Sequence, residues 1–271
     1  MPRVAVVGAG AWGTALAVTA ARAGAEVVLW GRDAGRIEGL RQRRENPPYL
    51  PGIILPEAVR PESRLETVAD AEMVLLAVPA QRLRELCRNL SRVMGAVPLV
   101  VCAKGLEQTS GLRLSEVVAA ELPAAPVAAL SGPSFALEVG QGLPTAVTIA
   151  AEDRDLAVDL AQLLASTAFR PYASDDLLGV ELAGALKNVI AIAAGVAGCG
   201  RDEQAEQSSE GDEQATRLPA PDIITTAQWG AMQPNYYLQT LNERPSYLVI
   251  HHTTTPNVTD GSREAAESIA Q

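Results

Sequence analysis

The chain has 271 residues, 48% of them hydrophobic and 20% charged, which is enough for one large domain or two small ones. A net charge of −10 argues against nucleic acid as a main partner, and three widely spaced cysteines predict neither a disulfide framework nor a metal site. No apolar run reaches the ~18 residues that span a bilayer, and the N-terminal sequence lacks the layout of a signal peptide, so we expect a cytoplasmic protein without membrane insertion.

The N-terminal segment has the pattern of a dinucleotide-binding unit. A buried strand, a glycine-rich turn, a helix and a second strand are predicted at Arg3–Val7, Gly8–Gly13, Thr14–Ala23 and Glu26–Trp30. In such a unit Gly8 permits the tight turn, Gly10 lets the backbone approach a pyrophosphate, and Gly13 lets the helix pack on the strand. The N-terminus of the helix would face the phosphates with its partial positive charge.

The residues after the second strand bear on the choice of cofactor. An acidic side chain there would bind the ribose 2′-hydroxyl of NAD, whereas an arginine would accommodate the 2′-phosphate of NADP. The sequence is "LWGRD", so Arg32 favours NADP, while Asp33 directly after it leaves NAD open. The alternative for Asp33 is that it caps the next helix.

Strands and helices continue to alternate up to residue 172. Strands are predicted at Glu72–Val78, Pro98–Cys102, Val127–Leu130, Thr145–Ala150 and Phe169–Tyr172, and helices at Gln81–Leu90, Ser115–Glu121 and 153–165. This alternation predicts an α/β fold with a doubly wound, mostly parallel, Rossmann-type sheet. Ligands bind at the carboxyl ends of such strands, where Lys104 and Ser131–Ser134 fall.

Lysine is rare in this chain. Of the 22 basic residues only two are lysines, Lys104 and Lys187. A lysine can lose its proton when it is desolvated and an arginine cannot, so a chain this rich in arginine would keep lysine where arginine cannot replace it. Lys187 lies in an apolar helical run, which fits a catalytic amine. The alternative is a lysine whose amine extends from the helix into water.

Four motifs, in order, resemble those of one family. They are "GAGAWGTALA" at 8–17, "CAKGLE" at 102–107, "LSGPSFALEV" at 130–139 and "ELAGALKNVIAIAAG" at 181–195. Over residues 1–198 the chain resembles the bacterial NAD(P)-dependent glycerol-3-phosphate dehydrogenases. The resemblance implies reduction of dihydroxyacetone phosphate to sn-glycerol 3-phosphate, for glycerophospholipid synthesis, with NADP or NAD as cofactor.

The resemblance also implies a set of site residues, with Lys187 as the general acid/base. The implied substrate-binding residues are Lys104, Gly132, Ser134 and Lys187. The implied cofactor-binding residues are Gly8, Gly10, Ala11, Trp12, Gly13, Arg32, Tyr49, Lys104 and Ala136. The family often has serine at the position of Ala11, so one hydrogen bond to the pyrophosphate would be missing here.

Ketone reduction gives a chemical reason for a lysine at position 187. Negative charge builds on the carbonyl oxygen in the transition state, and a nearby ammonium stabilises that charge and donates its proton. The pKa of such a lysine must come down from about 10.4 toward ~7–8 for it to act near neutrality. Apolar surroundings and a second cation, Lys104, would lower the pKa of Lys187.

Composition and the family resemblance together divide the chain into four segments. The resemblance implies that residues 1–175 form the NAD(P)-binding domain and that 176–200 form the first helix of a truncated helical substrate domain. Residues 201–218 read as an acidic disordered linker, because they are polar and lack an apolar period. Residues 219–271 would form a partial, irregular tail.

The last segment resembles a second family. The stretches "PDIITTAQWGA" at 221–231 and "RPSYLVIHHTTTPN" at 244–257 resemble the start of a peptidoglycan-recognition or N-acetylmuramoyl-L-alanine amidase domain. In that family the position of His251 is a zinc ligand. A catalytic zinc site needs about three protein ligands, and the chain has only His251 and His252 as histidines, so we expect no working zinc site.

Several interpretations of function therefore stand beside one another. The first is a glycerol-3-phosphate dehydrogenase acting on a small phosphorylated substrate, with a homodimer left open. The second is an NAD(P)-binding fragment with little or no turnover. Three further alternatives are a peptidoglycan amidase fusion, a truncated or misassembled reading frame with its junction near residue 200, and another 3-hydroxyacid-type dehydrogenase. The motif "SGPSFA" argues against the last of these.

Overall fold

The computed structural model describes residues 1–187 and residue 190. Its strands are β1 Arg3–Val7, β2 Glu26–Trp30, β3 Glu45–Asn46, β4 Leu50–Ile54, β5 Val59–Glu62, β6 Met73–Leu76, β7 Leu99–Val101, β8 Val127–Ser131, β9 Thr145–Ala151 and β10 Phe169–Ser174. Its α-helices are α1 Ala11–Arg22, α2 Ala34–Arg43, α3 Leu83–Leu90, α4 Leu114–Glu121, α5 Ala136–Gln141, α6 Arg154–Leu164 and α7 at 177–187.

Eight of the strands form one sheet, in the order β10-β9-β8-β7-β6-β1-β2-β5. All neighbouring strands in it are parallel except β8 and β9, which are antiparallel. The predicted mostly parallel, doubly wound α/β sheet is confirmed. Because β1, β2, β6, β7 and β8 run in one direction, the turns that follow them all lie along the same edge of the sheet.

Both faces of the sheet are covered, which explains why its strands read as uninterrupted apolar runs. Side chains alternate between the two faces along a strand. Val4 and Val6 of β1 belong to one buried cluster, whereas Ala5 and Val7 belong to the other. The sheet is therefore a rigid base for the turns at its carboxyl edge.

The predicted elements differ from the observed ones mainly at their ends. Helix α1 begins at Ala11 rather than Thr14, directly after Gly10. The helix predicted at Gln81–Leu90 is a short 3₁₀ turn, Ala80–Arg82, followed by α3. The alternative for Asp33 is confirmed, since its carboxylate accepts a hydrogen bond from the backbone N–H of Arg36 and caps α2.

Residues 34–62 hold elements for which the sequence pattern gave no bounds: α2, the β3–β4 hairpin and β5. Helix α2 is rich in arginine, and only Ile37 and Leu40 of its ten residues are buried, so its apolar period is weak. These elements matter for function, because they bring Arg36 and Tyr49 to the carboxyl edge of the sheet.

Residues 1–187 form one compact unit that includes α7. Within residues 1–187 and 190, no helix is both long enough and apolar enough to cross a bilayer. The predicted linker at 201–218 and the amidase-like segment at 219–271, with His251 and His252, lie outside the described residues.

Candidate active site

The turn between β1 and α1 has a different steric demand at each glycine. Gly8 has a φ of +120°, and a Cβ there would lie 2.5 Å from the carbonyl oxygen of Ala77. A Cβ on Gly13 would lie 1.8 Å from the carbonyl oxygen of Gly8. A Cβ on Gly10 would meet nothing within 4 Å. Gly8 and Gly13 are thus required by packing, whereas Gly10 leaves open space at the N-terminus of α1.

That open space belongs to a cleft of about 680 Å³ at the carboxyl ends of β1 and β2. Four of the residues expected to bind cofactor line it, namely Gly8, Gly10, Arg32 and Tyr49. Helix α1 points its N-terminus at the cleft, and Gly10 has no side chain to cap the first backbone N–H groups. A pyrophosphate fits there, because unpaired N–H groups and the helix dipole both favour an anion.

A second arginine lies on the cleft wall beside Arg32. The guanidinium carbon of Arg36 stands 4.3 Å from the centre of the Tyr49 ring, a cation–π contact. Tyr49 is 40% exposed and also lines the cleft. The sequence pattern did not single out Arg36. The signal was available: once Asp33 caps α2, Arg36 falls in the first turn of that helix, at the same edge as Arg32.

Tyr49 owes its position to Asn46. The Asn46 side chain is buried and donates hydrogen bonds to the carbonyl oxygen of Ala9 (3.1 Å) and to the Thr14 hydroxyl (2.7 Å). The β3–β4 hairpin is thereby fixed to the glycine-rich turn. The backbone N–H of Tyr49 in turn donates to the carbonyl of Asn46 at 3.1 Å.

We expect Asn46→Ala to lower the free energy of unfolding by about 1–3 kcal/mol, since it leaves one buried and one part-buried acceptor without their donor. Urea unfolding would measure the change. Asn89→Ala is the matched control, because Asn89 is exposed at the rim of the same cleft and its loss should cost less than about 0.5 kcal/mol. Equal stability of the two variants would contradict the role of Asn46.

The two lysines meet at the carboxyl ends of β7 and β8. Lys104 follows β7, and its Nζ donates a hydrogen bond to the carbonyl oxygen of Gly132 at 2.9 Å. The pKa of Lys104 is lowered to about 8, mainly by burial and in addition by the neighbouring Lys187. Residues 83 positions apart in the sequence thus form one cationic site.

The half-buried lysine is a different one from the lysine that was expected to be buried. The sequence predicted apolar surroundings for Lys187, whereas in the structure Lys187 is exposed and Lys104 is the half-buried partner. The reason is geometric: Lys104 lies in a crevice between the strand ends and α7, lined by Ser131, Glu181 and Gly184. Lys187 lies one turn beyond that crevice along α7.

The loop after Lys104 is held by an ion pair. Arg84 of α3 donates two hydrogen bonds to the Glu107 carboxylate, at 2.8 and 2.7 Å, and Ser110 donates a third. These bonds hold the pKa of Glu107 down at about 2. The charge-assisted pair is bidentate, which fixes orientation as well as distance.

The remaining predicted site residues lie nearby in different settings. Ser134 donates its backbone N–H to the Gly132 carbonyl at 3.1 Å, the carbonyl that also binds Lys104. Ala136 is the first residue of α5, and Ala11 the first of α1. Trp12 packs against a buried core cluster, so its contact with a cofactor stays a prediction.

Comparison with known proteins identifies the family. The sequence model described as NAD-dependent glycerol-3-phosphate dehydrogenase N-terminus matches residues 3–157, more than half of the chain. The chain belongs to this family. The corresponding model of the family's C-terminus matches residues 176–209, so the family likeness extends past residue 198 into the acidic stretch.

Relatives of the glycerol-3-phosphate dehydrogenase family cover the same region. A glycerol-3-phosphate dehydrogenase [NAD(P)+] of Paramagnetospirillum magneticum is 47% identical over 222 residues, 80% of this chain and 81% of the relative. One from Parvibaculum lavamentivorans is 50% identical over 195 residues, 72% of this chain and 59% of the relative. The crystal structure of the Coxiella burnetii enzyme matches with a TM-score of 0.67 and 37% identity, covering 72% of this chain and 60% of that one.

The chain therefore spans about six tenths of the length of several family members that it matches. The matched part contains the glycine-rich turn, the cleft and both lysines.

Proposed function

We propose that the chain reduces dihydroxyacetone phosphate to sn-glycerol 3-phosphate with NADPH or NADH. The observation that carries this proposal is the meeting of Lys104 and Lys187 at the strand ends beside the dinucleotide cleft. Two adjacent ammonium groups suit a substrate that combines a phosphate with a ketone. Family membership supports the same reaction.

The cleft supports the cofactor part of this proposal. Gly10 and the N-terminus of α1 would hold the pyrophosphate, and Arg32, Arg36 and Tyr49 the adenosine end. When bound, the nicotinamide supplies the hydride that reduces the ketone. The protein's own residues bind and orient both molecules and donate the proton to the ketone oxygen.

Lys187 is the proposed proton donor. Its ammonium would stand at the ketone oxygen, stabilise the negative charge that develops there, and donate a proton to give the hydroxyl group of the product. Lys104 would hold the substrate while anchored on the Gly132 carbonyl, 2.9 Å away. Ser134 and Gly132 would complete the substrate contacts from the turn after β8.

The proposal is tested by product analysis. Purified chain is incubated with NADPH and dihydroxyacetone phosphate, and sn-glycerol 3-phosphate is detected by ³¹P NMR. Dihydroxyacetone, which lacks the phosphate, is the control substrate and should give far less turnover. Cofactor binding without any product would contradict the proposal and favour the alternative of an NAD(P)-binding fragment.

The lowered pKa of Lys104 predicts a pH dependence. The charged amine binds the anionic substrate, so kcat/KM should fall as the pH rises through about 8, where Lys104 loses its proton. Lys104→Arg keeps its charge at all these pH values, so its profile should lack the fall near pH 8 that Lys104 causes. Initial rates from pH 6 to 10 measure both profiles, and identical profiles would contradict the assignment.

We propose NADP as the preferred cofactor, because Arg32 and Arg36 place two cations at one end of the cleft. Arg36→Ala should raise the Kd of NADPH about tenfold, through the loss of a charge-assisted bond to the 2′-phosphate, and leave the Kd of NADH unchanged. Fluorescence titration measures both constants. Arg43→Ala, an exposed change on the same helix, is the control. Equal weakening of NADH binding would contradict the preference.

We also propose a cytoplasmic setting, a homodimer and an amidase-like C-terminal segment. The buried free thiols of Cys87 and Cys102 support a reducing, cytoplasmic setting. A homodimer would be tested by analytical ultracentrifugation. The amidase resemblance of residues 219–271 is carried by two sequence motifs, and zinc titration with His251→Ala as control would test it.

A further inference from the structure

We infer that Glu181 is a positioning residue: it docks α7 on the N-terminal end of α4 and so sets where the Lys187 amine stands. This inference rests on the proposed function, because it concerns how that same site is assembled. The hydrogen bonds of Glu181 go to Arg113 and Ser115 at the start of α4, so Glu181 acts through the helix that carries Lys187.

Glu181 is buried, and its carboxylate is held by several hydrogen bonds. Its side chain is only 7% exposed. Its carboxylate accepts hydrogen bonds from the Ser115 backbone N–H at 2.9 Å, from the Ser115 hydroxyl, and from the Arg113 guanidinium at 3.1 Å. Ser115 lies in the first turn of α4, where backbone N–H groups and the helix dipole favour a carboxylate.

The partners of Glu181 are themselves held in place. The second guanidinium nitrogen of Arg113 contacts Glu116 at 3.0 Å, and the Glu116 carboxylate also accepts from the Arg113 backbone N–H at 2.9 Å. Ser115, in the first turn of α4, is itself buried. The hydrogen-bond partners of Glu181 at the start of α4 are thus fixed by contacts that do not involve α7.

The close packing of Gly184 is a second contact that restricts where α7 can lie. Gly184 packs so closely that a Cβ there would lie 2.9 Å from the Ser131 hydroxyl and 3.6 Å from the Cγ of Lys104. Leu177 at the start of α7 is buried in a core cluster, whereas Leu182 and Leu186, on either side of Gly184, are exposed. Lys187 follows Glu181 by six residues, about 9 Å along the helix, so a tilt about this anchor displaces its amine.

Glu181→Gln removes the charge and replaces one acceptor oxygen with a donor, while keeping the size of the side chain. We expect kcat to fall about 10- to 100-fold, because a displacement of about 1 Å in a catalytic group has an effect of this order. The Kd of NADPH should stay within about twofold, since the cofactor cleft is built from other elements. Steady-state kinetics and NADPH titration measure the two effects.

The scarcity of lysine allows a second readout that does not need turnover. With Lys104 and Lys187 as the only lysines, ¹³C-lysine NMR gives two side-chain titrations. Lys187 lowers the pKa of Lys104, so undocking of α7 should raise that pKa from about 8 toward its ordinary value. Loss of the Glu181 charge alone would shift it downward, because a nearby carboxylate favours the ammonium.

Glu121→Gln is the matched control. It breaks a comparable pair on the far end of α4, where the Glu121 side chain is 17% exposed and Arg84 donates to it at 2.7 Å. It should lower the Tm while leaving kcat and the pKa of Lys104 unchanged.

Glu181→Asp, which keeps the carboxylate, should recover part of the lost kcat. If Glu181→Gln does not fold, Ser115→Ala, which removes one of the three bonds, is scored by the same measurements.

The outcomes separate the two proposals. An unchanged or a lowered pKa of Lys104 in folded Glu181→Gln overturns the positioning role, as does an equal loss of kcat in Glu121→Gln. If the unmodified chain forms no glycerol 3-phosphate, the proposed function fails, and the lysine titration still decides whether Glu181 positions α7.

Discussion

Lys187→Ala should lower kcat for dihydroxyacetone phosphate reduction about 10³-fold, the range expected for loss of a general acid. The affinity for NADPH should change by less than about twofold, because Lys187 does not line the cofactor cleft. Stopped-flow absorbance at the nicotinamide band gives kcat, and fluorescence titration gives the Kd. The physical reason is that the alkoxide formed from the ketone would have neither a nearby cation nor a proton donor.

Lys187→Arg separates the two roles of the ammonium. Arginine keeps the positive charge but does not release a proton near neutrality, so this variant should stay close to Lys187→Ala in kcat while retaining substrate affinity. A variant at position 187 with kcat within about threefold of the parent would remove Lys187 from the chemistry. Lys104 would then be the remaining candidate for the proton donor.

Substitutions at Gly10 and Gly13 should affect different properties, cofactor binding at Gly10 and stability at Gly13. Gly10→Val should leave the Tm unchanged, because a Cβ there meets nothing within 4 Å. It should raise the Kd of NADPH about 100-fold, equivalent to about 2.7 kcal/mol, since the side chain would fill the space where the backbone must approach the pyrophosphate.

Gly13→Ala should instead act on stability. Its Cβ would lie 1.8 Å from the carbonyl oxygen of Gly8, and a backbone clash of this kind cannot be relieved by a side-chain rotation. We expect a loss of about 3 kcal/mol, and a Tm lower by about 6–12 °C. Differential scanning calorimetry measures the Tm of both variants. If Gly10→Val lost stability and Gly13→Ala did not, the packing of this turn would be other than described.

The central sheet could be predicted because its strands are short, apolar on both faces and separated by clear breaks. Arg3–Val7 and Glu26–Trp30 have the same bounds in sequence prediction and structure. Helix α2 could not be found in this way, since its arginine-rich sequence buries only Ile37 and Leu40. Its contribution to the cleft, Arg36, was missed with it.

The lysine pair shows the other limit of sequence reasoning. Rarity and motif context indicated both Lys104 and Lys187, and the family resemblance implied that they share one site. Which amine is buried depends on how α7 lies across those ends, and that is set by the contacts of Glu181 with Ser115 and Arg113, 66 and 68 positions away. A single sequence gives no periodic signal for such a polar contact between distant segments.

The most direct test of the central claim is transfer of deuterium from cofactor to substrate. The purified chain is incubated with NADPH carrying deuterium at both C4 positions of the nicotinamide, together with dihydroxyacetone phosphate, and the product is examined by mass spectrometry and NMR. We predict sn-glycerol 3-phosphate with one deuterium at C2, and none formed by Lys187→Ala over the same time. Unlabelled product, or no product from a chain that binds NADPH, would contradict the claim that this site performs the reduction.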